Sequence, residues 1–160
     1  MKNFSLGLSL LLCGGFSLAG CGSDSSACSD GQVACDGNCI DPIAPTLAAI
    51  QSEIFEPRNC AASACHDSSL PAEGLDLSSV AASGMTLVGI NSVQRTELFR
   101  VGAGNSDSSY LMNKILGVDM ALGTVRMPVN PPEGMDFLCA AEVDAIRQWI
   151  DDGADVGPSN

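Results

Sequence analysis

One stretch constrains this chain more than any other: NCAASACHD, residues 59 to 67. Cys60 and Cys65 bracket Ala61, Ala62, Ser63 and Ala64. His66, the one histidine in 160 residues, follows directly. Any fold the chain adopts must bring two sulfurs and an imidazole together on a loop of small residues. A Cys beside a His rarely aligns as nucleophile and base. The many acids show no paired spacing that departs from a solvated surface. Hydrolase chemistry has little footing, and we read the chain as not an enzyme.

Three chemistries suit the cluster. In the first, Cys60 and Cys65 form thioethers to the vinyl groups of a c-type haem, and His66 lies under the iron as proximal ligand. The common spacing has two residues between the cysteines, and here there are four. The porphyrin sets the distance between vinyl groups, so the extra residues must bulge outward, which Ala, Ala, Ser and Ala allow. In the second, a disulfide joins Cys60 to Cys139, stapling the two ends of the chain and leaving Cys65-His66 without attachment chemistry. In the third, Cys60, Cys65, His66 and Cys139 hold zinc.

The amino-terminal end sets the compartment. Lys2, an apolar run from Phe4 to Leu12 and small residues up to Gly20 form a leader too short to span a bilayer as a permanent helix. Leu18-Ala19-Gly20-Cys21 resembles the lipobox of bacterial lipoproteins. That resemblance implies a signal peptide over residues 1–20, cleavage before Cys21 and acyl chains on Cys21. The protein is then exported to the cell envelope and anchored to a membrane, on a periplasmic or cell-surface face. Residues 21–45 are rich in Gly, Ser and Asp and read as a flexible, cysteine-containing tether. The globular domain spans 46–154, enough for one core, and residues 155–160 are a tail. The net charge is −12. It excludes the basic footprint of a nucleic-acid partner and suits a basic protein partner met by electrostatic steering. No small-molecule substrate is indicated.

Beyond Cys13 in the leader and Cys21, six cysteines remain: 28, 35, 39, 60, 65 and 139. Export favours oxidised pairs. Parity allows three disulfides, or two with haem on Cys60 and Cys65. Cys139 sits where a helix start followed by Glu142 would carry Ser or Thr. A disulfide to Cys28, Cys35 or Cys39 is the simplest reason for it.

Hydrophobic spacing predicts a helix over 46–56 from Leu47, Ile50, Ile54 and Phe55, closed by Pro57. A second is expected from Ser108, as N-cap, to Gly117. A third carries Val143, Ile146, Trp149 and Ile150 and stops at Gly153. The order "IFEPRNCAASACHD", "GLDLSS", "SSYLMNKILG", "RMP" and "EVDAIRQWIDDGA" resembles the small monohaem cytochrome c domains of exported bacterial lipoproteins, over about residues 47–154. The resemblance implies a mostly α, cytochrome c-like fold with the first and last helices packed together beside the haem. It also implies His66 as proximal ligand, Met127 as distal ligand and single-electron transfer to a redox protein. With one histidine, the sixth ligand is Met, Lys, water or nothing. The mature methionines are Met85, Met112, Met120, Met127 and Met135. Met127 is favoured because Pro128 restricts the loop beside it, whereas Met112 suits core filling. The second N–H of His66 needs an acceptor, expected near Leu70-Pro71. Arg58 and Trp149 could meet haem propionates, although a solvated Arg and a core Trp are the plainer readings. Without haem, the chain reads as a disulfide-stapled surface lipoprotein with a binding or structural role.

Overall fold

The computed structural model describes residues 28–157. The expected signal peptide 1–20, the expected lipidation site Cys21 and the last three residues of the expected tail lie outside the described residues. Among the described residues, no helix is long and apolar enough to cross a membrane.

The expected mostly α fold is corrected. The fold is mixed, with 32% helix and 8% strand. Its α-helices are α1 (Leu47–Ile50), α2 (Val80–Leu87), α3 (Tyr110–Leu116) and α4 (Ala140–Asp151). The physical reason is punctuation: 17 Gly and 8 Pro interrupt the periodic runs, and both residue types disfavour helix interiors. The expected helices exist but are short. The first is α-helical for one turn and then widens into a π turn, Gln51–Phe55. The middle one starts at Tyr110 with Ser109 at its N-cap, while Ser108 belongs to a preceding 3-10 turn. The periodicity of VAASGMTL is weak, yet Ser79 caps it and α2 forms.

The flexible tether is corrected too. Residues 33–40 form an antiparallel hairpin of β1 (Val33–Cys35) and β2 (Asn38–Ile40), with Ala34 opposite Cys39. Asp36 and Gly37 turn it, with φ of 50° and 76°. Two left-handed residues in a row suit the tight hairpin turn that Asp-Gly favours. A lone two-stranded hairpin is marginal in water, and disulfides make up the deficit. Cys28 pairs with Cys39, and Cys35 with Cys139 at the N-cap of α4. Ile43 beyond the hairpin is buried in the main core. These residues belong to the folded body.

That core lies where α1 and its π turn pack on α4. Leu47, Ile50, Ile54 and Phe55 meet Val143, Ile146, Trp149 and Ile150, all buried. α2 also packs against α1. Gly84 allows the close approach: a Cβ there would stand 3.0 Å from Val156 and 3.4 Å from Leu47.

Candidate functional site

The cluster grows out of the π turn. The Phe55 carbonyl accepts the Cys60 N–H at 2.9 Å, and the Cys60 carbonyl accepts the His66 N–H at 3.1 Å, closing the loop between them. Inside it, Cys65 N–H donates to Ala62 O at 2.9 Å, and Ala64 takes a left-handed φ of 67°. Left-handed backbone costs an alanine roughly 1–2 kcal/mol. The four small residues thus fold back on themselves and leave Cys60 and His66 as hydrogen-bonded neighbours.

His66 is held by a second loop. Its Nδ1 lies 3.1 Å from the Leu75 carbonyl, so Nδ1–H is the donor and Nε2 keeps its lone pair. The acceptor is therefore Leu75 and not the Leu70-Pro71 backbone expected from sequence. Backbone bonds from Ala72 N–H to Cys65 O and from Leu77 N–H to His66 O, at 2.7 and 2.8 Å, lace this loop to the cluster. Burial is the main reason that the His66 pKa sits below its ordinary value, and the charges of Arg100 and Lys114 push the same way.

Cys60, Cys65, His66 and Met127 all line one cavity of about 330 Å³, within the roughly 300–1,000 Å³ of small-molecule and cofactor sites. Its walls include Ile54, Phe55, Leu77, Leu87 and Leu138. Of the five methionines among the described residues, Met127 alone lines it. Met112 is core, as expected, while Met85 and Met135 are exposed. The Met127 loop is pinned to α3: Met127 N–H donates to Lys114 O at 2.9 Å, and Arg126 Nε to Ile115 O at 2.8 Å. Arg126 also stacks on the Phe137 ring at 3.9 Å.

The cysteines divide cleanly. Cys28, Cys35, Cys39 and Cys139 are paired, and Cys60 and Cys65 are free thiols. The staple from Cys139 runs to Cys35, one of the partners expected for it, and not to Cys60. A zinc site using Cys139 is excluded for the same reason. Cys35, Cys139 and Glu142 bring ligand-type atoms within 4.8 Å of one another, but the two sulfurs are bonded together and offer no thiolate. Burial, followed by the Glu142 carboxylate, pushes the Cys60 thiol up to about 12.

Arg58, which also lines the cavity, and Trp149 both have partners within the chain. Trp149 is core, and its Nε1–H donates to Asp155 O at 2.8 Å. Arg58, 2% exposed, is not solvated. It donates to Glu142 at 2.8 and 2.5 Å, to Asp36 at 2.6 Å and to Asp136 O at 3.2 Å. Burial alone would lower its pKa, but the two carboxylates hold it above the ordinary value. Glu142 Oε2 also accepts the Cys139 N–H at 2.8 Å, the N3 half of a capping box at the start of α4.

Sequence reasoning passed over Arg100 and Lys114, which also line the cavity. Their signal was available: each cation stands inside an apolar run, LFRV and LMNKIL, where a solvated base is out of place. No family model matches the chain, and neither curated proteins nor solved structures yield a match.

Proposed function

We propose that the chain carries one covalently attached haem c and serves as a single-electron carrier in the cell envelope, anchored through Cys21. One observation carries this reading: the two free cysteines, the one histidine and one of the five methionines among the described residues line a single apolar cavity. The donor set fits the cofactor. Cys60 and Cys65 are thiols, the form that adds S–H across a vinyl C=C with nothing leaving. His66 has its Nδ1–H committed to Leu75 and its Nε2 available, the second-shell arrangement that fixes a ligand imidazole. Met127 offers a soft, neutral sulfur, which favours a raised reduction potential. When bound, haem supplies the one-electron couple. The chain's own residues orient the imidazole and keep water from the apolar walls. The resemblance to exported monohaem domains enters through these site residues and not through the fold class.

The acidic surface fits a basic redox partner drawn in by electrostatic steering. The alternative is a stapled surface lipoprotein without haem; the two disulfides are consistent with it and do not decide between the readings. Co-expression with a cytochrome c maturation system, then a haem stain on a denaturing gel, separates the two. A stained band that is lost in Cys60→Ser with Cys65→Ser is expected, and an unstained wild-type band would contradict the haem reading. In stained protein, Met127→Ala should abolish the near-infrared sulfur-to-iron band. Persistence of that band would move the ligand elsewhere.

A further inference from the structure

The cavity holds two cations that form no ion pair among the described residues, although Glu73 lines it too. The ion pairs among the described residues use Arg58, Arg95 and Arg147. Arg100 and Lys114 join none, in a chain with 19 acids and 7 bases. Both are 9% exposed, and both line the cavity. Their hydrogen bonds go to backbone carbonyls. Arg100 Nη1 donates to Gly74 O at 3.0 Å and Thr86 O at 2.7 Å, Arg100 Nη2 to Glu73 O at 2.5 Å, and Lys114 Nζ to Val125 O at 2.5 Å. The carboxylate whose charge bears on both is Glu73, which is exposed and accepts from Gln94 Nε2 at 3.3 Å. Carbonyl dipoles satisfy donors but leave the charge uncancelled, and a buried cation without a counter-charge is costly. Burial holds both groups below their ordinary pKa.

We propose that Arg100 and Lys114 are the anion half of this cavity, and that its occupant has an apolar body and acidic groups, carboxylates above all, which complete the two pairs. The inference rests on the haem reading only for naming that occupant, since haem brings two propionates. The charge requirement rests on the two cations. They also hold the loops that carry the other groups: Arg100 grips the turn before Leu75, the acceptor for His66, and Lys114 grips the stretch before Met127. An acid that reaches them meets donors already fixed in place.

The test uses the chain expressed without haem maturation. Ferric protoporphyrin is titrated against its dimethyl ester by absorbance, and anilinonaphthalene sulfonate against neutral N-phenylnaphthylamine by fluorescence. A charge-assisted pair is worth roughly ten- to a hundredfold in affinity. The acidic member of each pair should bind tighter by about that factor. Lys114→Gln and Arg100→Gln should erode the preference, and Arg100→Lys should retain most of it. Should Arg100→Gln not fold, judged by circular dichroism, Lys114→Gln decides alone. Equal affinity for acidic and neutral probes, or a preference unchanged by removing either charge, overturns the proposal. Tight porphyrin binding without acid preference overturns it while leaving the haem reading in place. Preference for the sulfonate with no porphyrin binding sustains it and sinks the haem reading.

Discussion

Two regions of this molecule use cysteine in opposite ways. In the hairpin region, Cys28–Cys39 and Cys35–Cys139 are closed bonds, backed by Arg58 between Asp36 and Glu142. In the cavity region, Cys60 and Cys65 stay open beside the one histidine. The hairpin is small and polar and cannot bury enough apolar surface to hold itself, so covalent bonds and a buried ion cluster do it. The cavity region already has apolar walls built by the π turn, α3 and the loops. Its sulfurs are not needed as staples.

The sharpest way to break this contrast is to ask how the two open thiols differ. Cys65 is exposed, while Cys60 is displaced from 9.0 to about 12. That shift cuts the reactive thiolate about a thousandfold below the ordinary level. In protein without haem, iodoacetamide near pH 8 should label Cys65 readily and Cys60 about a thousandfold more slowly than an ordinary cysteine, read by peptide mass. Equal labelling would mean that Cys60 is not in the buried setting described.

Next in size comes the staple. Cys35→Ala with Cys139→Ala opens a loop of sequence separation 104, and should lower stability by about 4 kcal/mol in urea unfolding. Cys28→Ala with Cys39→Ala opens a separation of 11 and should cost about 3 kcal/mol. Reversal of that order would show that the hairpin does not depend on its bond to α4. Arg58→Ala leaves Glu142 buried and unpaired, and about 3 kcal/mol should be lost. A loss under about 1 kcal/mol would reduce the cluster to surface-type pairs.

The smallest expected effect lies in the spacer. Ala64→Gly removes the penalty of its left-handed φ and should stabilise the protein by about 1 kcal/mol. A loss of stability would show that the Cβ packs usefully in the bulge.

Periodic apolar residues were the legible part of the fold. Leu47, Ile50, Ile54 and Phe55, with Val143, Ile146, Trp149 and Ile150, are spaced for helices and are all buried. Helix content was over-read because periodicity reports which face is buried, whereas Gly and Pro limit how far a helix runs. The hairpin was missed for a different reason. Its strands are three residues each, below the length at which alternation shows, although Asp36-Gly37 between Val33 and Ile40 carries a turn signal. At the site, Cys60, Cys65, His66 and Met127 stand out in the sequence and line one cavity, but their supports do not stand out. Leu75 contributes a carbonyl, which leaves no trace in residue type. Arg58 reads as a surface base until Glu142 arrives from 84 positions away.

The measurement that bears most directly on the central claim is the intact mass of matured protein, denatured without reductant and followed by disulfide mapping. The expected result is one added iron porphyrin on the peptide holding Cys60 and Cys65, with Cys35 still joined to Cys139. A chain with no added tetrapyrrole and Cys60 joined to Cys139 would contradict both the open cavity region and the electron-carrier reading.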